Sequence, residues 1–489
     1  MAPVDDPTTV KYPSQPPPLN DGKHPHVMIV GAGLAGLFLG LLLDKAGIPY
    51  QIYERAQKVK PLGGVMSLNA SILPALEQLR LYHELQKVSL PATGGFHIYN
   101  ENLSLIAHVK SELSEVIGYD RVVFARAEFY EVLLSKIPAE KIHFSKKVMS
   151  LEQNKEGVMI RCADGTTYHG DILVGADGAH SGVRQALYKR LEQAGTLVPS
   201  DTNELNKGFI CMVGTTEPLD PATYPGIDDE VSHCNQIIGK NNNYCWSAFS
   251  VPGNRISWNV ILQLSTVREA SEHKFKNSEW GSETSDPMVK EVRDFLIPFG
   301  NNNTLGGLID ATPRDNISRV FLEDKLFETW HHGRTVLIGD ACHKLLPSAG
   351  LGAVVSMQDA VVLANSLYEM KSVTPEDIDD ALSSFKEGRY AQVKEQFDAS
   401  KMSAKLIYGQ SLFERLLRIV IFNWIPESVK MKGHIKGVEF RPQASFIPQI
   451  PVRGTGPVLP QKPSQRYLDA QAKMDSGKNA PSSGSVVVV

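Results

Sequence analysis

The apolar positions fall into short runs at the start of the chain and into alternating and helical patterns later. Residues 27–30 form a four-residue apolar run suited to a strand buried on both faces, and residues 34–46 carry a helical run that Gly47 is placed to end. A second strand is expected over 50–53. Residues 60–79 read as a glycine-containing loop running into a helix. Strand-like runs follow at 96–108 and 122–124, then a helix at 127–134 and a strand at 172–175. From 192 to 316 the texture changes: runs at 208–213, 244–250 and 256–264, separated by polar loops, predict an antiparallel sheet. Within it Tyr244, Trp246, Phe249 and Trp258 alternate between faces, with core packing the expected role for each. Residues 335–339 return to the parallel style and lead through a loop into a helix at 353–368. A charged helix is expected over 381–408. Phe413, Leu416, Leu417, Val420, Ile421 and Trp424 then recur at helical spacing until Pro426, a stripe expected to pack on the body.

Three of these elements carry chemistry. Gly31, Gly33 and Gly36 spell GxGxxG at the junction of the first strand and helix, and Glu54 closes the second strand 18 residues beyond Gly36. Gly31 permits the turn, Gly33 lets a pyrophosphate approach the backbone, and Gly36 lets the helix pack on the sheet. Unpaired amides and the helix dipole then hold the anion. Glu54 can accept both ribose hydroxyls and would repel an added phosphate, so NAD or FAD is the expected ligand. Asp177 and Gly178 follow the strand 172–175, with Ser181 and Arg184 opening another helix. In the third stretch, GDACHKLLPSAGLG, Asp340 follows a strand and Gly350 and Gly352 begin a helix, forming a second anion-capable helix terminus.

Composition narrows the field. With 489 residues, 42% apolar and 21% charged, the chain has the balance of a soluble globular protein of two or three domains. A net charge of -4 without blocks of like charge gives no support to a nucleic-acid partner. The five cysteines (Cys162, Cys211, Cys234, Cys245, Cys342) include no CxxC pair, which argues against a zinc site or redox disulfide and suits a reducing compartment. Residues 27–43 lack charge, but their three glycines and the acidic strand end that follows argue against a membrane span. Residues 1–25, rich in proline, read as a disordered leader without a secretory signal, and 451–489 as a disordered tail.

Together, GxGxxG with Glu54, the Asp177–Gly178 pair and GDACHKLLPSAGLG resemble the single-component FAD-dependent monooxygenases, the aromatic-ring hydroxylases and epoxidases. Within that group the chain is most similar to fungal enzymes of terpenoid and indole-diterpene secondary metabolism. The resemblance implies an α/β fold: a Rossmann-like FAD-binding domain of the glutathione-reductase-like, para-hydroxybenzoate-hydroxylase type, an antiparallel-sheet substrate domain and a helical C-terminal region. The expected boundaries are 26–190 and 326–372 for the FAD domain, 191–325 for the substrate sheet and 373–450 for the helical region.

By the same resemblance Gly31, Gly33, Gly36 and Glu54, with Arg55 beside it, hold the ADP half of FAD. Gly63 and Gly64 touch the cofactor, and Arg126 contacts it from a helix start. Asp177 and Gly178 serve FAD and the nicotinamide cofactor, NADPH or NADH. Asp340 holds the ribityl chain, and Pro347, Gly350, Gly352 and Ala353 lie beside the isoalloxazine. Family members often have asparagine where this chain has Val354, which puts one flavin contact in doubt. The implied reaction is hydroxylation or epoxidation of an apolar aromatic or isoprenoid molecule by O2 and NAD(P)H, through a flavin hydroperoxide in a site that excludes water. No catalytic acid or base and no metal site is assigned.

No second GxGxxG supports a separate nicotinamide domain, since Gly454–Thr455–Gly456 follows no strand. The sequence FNWIP at 422–426 has one tryptophan where flavin halogenases need two. Two alternatives stay open: a flavin-dependent reductase of prenyl-chain double bonds, and a non-catalytic lipid-binding protein on the same fold. The expected location is cytoplasmic. Residues 412–425 are too short to span a bilayer, while Trp424 with Lys430, Lys432 and Lys436 leaves peripheral membrane contact open.

Overall fold

The computed structural model describes residues 24–58, 64–109, 114–240, 243–264, 286–409 and 411–478. Gly63, most of the leader and residues beyond 478 lie outside this set.

Val27–Val30 is the central strand of a six-stranded sheet, pairing in parallel with Tyr50–Tyr53 on one side and Ile172–Gly175 on the other. Thr335–Leu337 and Ile142–His143 extend it, also in parallel, and His331–His332 forms an antiparallel edge. Every residue of Val27–Val30, Ile172–Gly175 and Thr335–Leu337 is buried, as expected where both faces of a parallel sheet are covered. The helix Leu34–Ala46 is stopped by Gly47 at φ 71°, whose amide donates back to Asp44 and Leu43. It packs on the helix Gly352–Tyr368, so the first and third sequence motifs meet in space.

A second layer is an eight-stranded sheet in the order His343–Lys344, Ser318–Leu326, Asn206–Thr215, Arg255–Gln263, Tyr244–Val251, Cys234–Ile238, Phe96–Asn100, Leu105–Val109. Cys234–Ile238 and Phe96–Asn100 pair in parallel and the remaining pairs are antiparallel. The antiparallel sheet read between 192 and 316 is therefore present, and it draws further strands from residues 96–109 and from the GDACHK segment. The run 96–108 is two strands of this sheet, with a turn between them.

Alternation divides this sheet's side chains. Ile210, Met212, Trp246, Ala248, Trp258 and Val260 face Val292, Leu305 and Leu308 in one core. Trp246 Nε1 donates to Leu296 O at 2.8 Å and Trp258 Nε1 to Thr312 Oγ1 at 2.9 Å, so both indoles are structural. Ile98, Cys211, Ile238, Cys245, Ile261 and Leu322 take the other face, against Leu346, Ala404 and Tyr408.

Two expectations about the C-terminal region need correction. The long helix Pro375–Ile407 and the helices Leu412–Asn423 and Glu427–Lys436 form, but Phe413, Leu416, Val420 and Trp424 point outward, while Leu417, Arg418, Ile421 and Phe422 turn toward the body. Helical spacing identifies one face without saying which way it points. The stretch from Pro451, read from its prolines as a tail, is docked as far as Tyr467: Gly456 N donates to Val116 O at 2.7 Å, Arg453 pairs with Glu77, and Tyr467 is buried on the helix Gln465–Lys478. Prolines rule out a ladder without ruling out a strap held by side chains.

Gln78 holds the chain that leads into that strap. Its Nε2 donates to Ala444 O (2.8 Å) and Pro448 O (2.9 Å), and its Oε1 accepts from Ala444 N (2.8 Å). Gln78→Ala should destabilise the protein by about 1–3 kcal/mol in urea unfolding, because it leaves these groups without their partner. It should also speed limited proteolysis between 440 and 460. Cleavage at the wild-type rate would show that the strap is held elsewhere.

Candidate functional site

At the carboxyl end of Val27–Val30 the chain turns at Gly31, φ +106°, where an added Cβ would lie 2.5 Å from Ala176 O. A Cβ on Gly36 would lie 2.0 Å from Gly31 O, so the helix sits directly on the turn. Gly33 differs: no atom lies within 4 Å of where its Cβ would be. As N-cap of Leu34–Ala46 it supplies no capping side chain, and the first turn holds no acidic residue. That helix end keeps free amides and the positive end of its dipole, an arrangement that suits an anion.

Glu54 closes the second strand with its carboxylate fixed by Ala32 N (2.9 Å) and Ala56 N (2.8 Å). Both oxygens keep a lone pair for another donor, which suits a sugar diol. Arg55, next in the chain, is exposed.

Arg126 starts the helix Arg126–Leu134, its amide donating to Gly64 O at 3.2 Å. Its guanidinium is half-buried, and among the described residues no hydrogen bond or ion pair engages it. Burial lowers its pKa, opposed chiefly by the charge of Asp340. An unpartnered guanidinium within a fold is unfavourable unless an acceptor arrives.

Asp340 stands half-buried on the turn Gly339–Ala341 and pairs with Lys344. The turn is anchored from behind. Asp359 accepts from Gly339 N (2.9 Å) and from Arg389 Nε (2.8 Å), and its Oδ2 lies 2.5 Å from His343 Nε2, all four residues being buried. Burial opposes ionisation of Asp359, but His343 and Arg389 outweigh it and hold the carboxyl below its ordinary value. Cys342, His343 and Asp359 are close enough to share a metal ion, yet the carboxylate is fully engaged and burial pushes the Cys342 thiol well up. The cluster is a protein junction.

Past Pro347–Ala349, Gly350 turns at φ +63° and the helix Gly352–Tyr368 begins without a capping side chain or a first-turn acid. Gly352 has open space where its Cβ would lie; Ala353 is half-buried and Val354 is turned into the core. A Cβ on Gly339 would come within 3.5 Å of Ala35, so the two uncapped helix ends converge on the GD turn.

Asp177 is committed elsewhere. Its carboxylate accepts from Ser181 Oγ (2.5 Å), Gly182 N (2.7 Å) and Val183 N (3.2 Å), capping the helix Gly182–Gln193. The open face of Gly178, φ +82°, is what this motif leaves for a ligand. Arg184 ties it to the third motif by donating to Ala341 O (2.8 Å) and Ala179 O (2.6 Å).

Sequence reasoning passed over two residues on the side facing the large sheet. Arg121 donates to Ser67 Oγ at 3.3 Å, lies 5.7 Å from the centre of the Phe96 ring and would be 3.6 Å from a Cβ on Gly350; no described acid pairs with it. Burial lowers its pKa. Asn259 sits in register between Val213 and Ser247 on the same sheet face, and its Oδ1 is buried without a partner. Gly64 joins the two halves, its Cβ position being 3.3 Å from Val213. Two arginines flanking the buried run Val122–Ala125 were a legible signal for Arg121. Asn259 needed the strand register.

A family model described as the FAD binding domain matches residues 24–208 and 265–418. The chain belongs to the FAD-binding-domain family. Among its relatives, the FAD-dependent monooxygenase terM of Tolypocladium album is 27% identical over 402 residues, covering 81% of each chain. The FAD-dependent monooxygenase ptmM of Penicillium ochrochloron is 28% identical over 409 residues, covering 80% of this chain and 91% of its own. The solved structure of Klebsiella pneumoniae HpxO with FAD and uric acid superposes with a TM-score of 0.69 at 19% identity, over 85% of this chain and 97% of that one. At that identity the likeness speaks for the fold. The donor set suits the family's cofactor: two uncapped helix ends, an unpaired guanidinium and a fixed carboxylate surround glycines with open faces.

Asp359→Asn should destabilise this FAD-binding-domain protein by about 3–5 kcal/mol in urea, because Arg389 stays buried and charged without its counterion. Since the folded carboxyl is held below its ordinary value, its contribution is present above about pH 4 and fades as pH falls through that range. A variant within about 1 kcal/mol of wild type would remove the junction's role.

Proposed function

We propose that the chain is an FAD-dependent monooxygenase that uses NADPH or NADH and O2 to hydroxylate or epoxidise an apolar aromatic or isoprenoid molecule. The carrying observation is the convergence of two uncapped helix ends and the unpaired Arg126 guanidinium on one cradle, which opens toward an apolar sheet face. Gly31, Gly33 and Gly36 leave the first helix end to the pyrophosphate, Glu54 accepts the adenosine ribose hydroxyls, and Arg126 supplies charge beside them. Asp340 accepts from the ribityl chain. The turn from Pro347 to Gly350 and the helix end at Gly352 and Ala353 favour negative charge at the redox end. Gly64 and the open face of Gly178 allow close backbone approach.

Bound FAD supplies hydride acceptance from the nicotinamide and activation of O2. The chain's own part is to keep water out and to orient the substrate. Phe209, Cys211, Val213, Ile261, Leu346 and Tyr408 make that side apolar. Arg121 and Asn259 are the polar exceptions there, placed to donate to a substrate oxygen and to accept from a substrate hydroxyl. The wide spread of apolar groups favours a substrate larger than a single ring. Among the described residues no helix is long and apolar enough to span a membrane.

The purified protein should be yellow, oxidise NADPH or NADH in air and release peroxide when no substrate is present. A colourless protein that FAD cannot reconstitute would leave the lipid-binding reading. Double-bond reduction of a prenyl chain without O2 would establish the reductase. Arg126→Gln should weaken FAD binding by roughly tenfold or more in equilibrium titration, the scale of one charge-assisted contact. Arg121→Gln should keep its flavin yet uncouple nicotinamide oxidation from product formation, read as peroxide per NADPH consumed. Unchanged coupling would exclude Arg121 from the substrate site.

A further inference from the structure

The helix Leu412–Asn423 is well defined at its start: Ser411 and Glu414 form a reciprocal capping box. Its amphipathy is nevertheless inverted with respect to water. Arg418 is buried and donates to Leu406 O (2.7 Å) and Gly409 O (2.5 Å), whereas Leu412, Phe413, Leu416 and Trp424 are 79%, 73%, 63% and 78% exposed. Ile419 and Val420 complete the outer stripe, and Val429 and Met431 of Glu427–Lys436 continue it. Among the described residues, eight of the fourteen large exposed hydrophobic side chains fall between 412 and 431, so they form a patch and are not scattered.

Its surroundings indicate what covers it. Leaving out the buried Arg418, basic residues between Ser411 and Gly437 outnumber acidic ones four to two, in a chain that is acidic overall. Among the described residues Lys432 has no protein partner and Lys436 holds only a surface pair with Glu395, which contributes little in water and can yield to another anion; Lys430 pairs with Glu427 and also donates to Phe422 O at 3.0 Å. Two copies meeting through this patch would oppose their positive rims, whereas anionic lipid headgroups would neutralise them. A tryptophan at the end of a short apolar stripe suits the headgroup boundary.

We propose that this stripe docks the protein on the surface of an anionic phospholipid bilayer, with Phe413, Leu416, Val420 and Trp424 entering the acyl boundary and the lysines meeting headgroups. A helix of 12 residues is about 18 Å long and lies in the interface, where apolar faces sink roughly 5–10 Å. On its inner side Phe422 packs against the cluster containing Leu346 and Tyr408, so docking sets the apolar side of the cradle at the membrane. That purpose rests on the proposed apolar substrate; the docking itself does not.

The full-length holoprotein would be sedimented with phosphatidylcholine vesicles, with and without phosphatidylserine, and Trp424 fluorescence followed with brominated phosphatidylcholine. Binding to the serine-containing vesicles, weakened by salt and reduced at least about tenfold in the Phe413→Ser/Trp424→Ser double variant, is expected. The variant should retain flavin and nicotinamide oxidation. Lys430→Gln/Lys432→Gln/Lys436→Gln should lose the preference for phosphatidylserine. A wild type that ignores both vesicle types while oxidising NADPH would overturn the docking and leave the enzyme standing. A concentration-dependent dimer abolished by the double variant, without vesicle binding, would assign the stripe to a second copy and likewise overturn it. Vesicle binding by a colourless protein would support docking and count against the enzyme.

Discussion

A single ionised carboxylate, removed from water, organises the centre of this protein. Asp359 lies inside the helix Gly352–Tyr368 and receives the backbone of the GD turn, the imidazole of His343 and the guanidinium of Arg389 from the long C-terminal helix. Such a junction adds little net stability over a well-packed apolar equivalent, because desolvating the charges offsets most of their attraction. What it supplies is position. Gly339 can hold φ +60°, and Asp340 can stand at the rim, because the turn is fixed from behind.

The same logic runs through the cradle. Groups that meet protein partners are fully used, as with Asp177 and Arg184, whereas the groups that face the open side are left short of partners. Uncapped helix ends, the Arg126 guanidinium and the Asn259 carbonyl oxygen would each be a defect in a site with no ligand.

Much of this was legible in the sequence, for identifiable reasons. GxGxxG, the acid at the end of the second strand and the GD segment depend on local geometry, so spacing alone locates them. Asp177 was only half legible: an acid after a strand can cap the next helix or face a ligand, and here its oxygens cap. Arg121 and Asn259 act through strand register and layer contact, which a linear pattern does not encode. The outward turn of Phe413 and Trp424 was hidden because periodicity is blind to the sign of a face. Gln78 shows the same limit, since one glutamine bonded to the backbone of Ala444 and Pro448 can fix the approach to a proline-rich strap that offers no periodic signal.

The eight-stranded sheet draws its strands from residues spread between 96 and 344. Its outer strands at one side come from residues 96–109 and its last edge from residues 343–344, which continue directly into the cradle turn. Neither layer can be finished while the other is still being synthesised, and the contacts that close them span hundreds of residues. Folding is therefore governed by late, long-range closure, and the half-made sheet has open edges during that interval. A ligand that binds only the closed cradle shifts the folding equilibrium toward the finished structure, so that stability rises with the concentration of free cofactor.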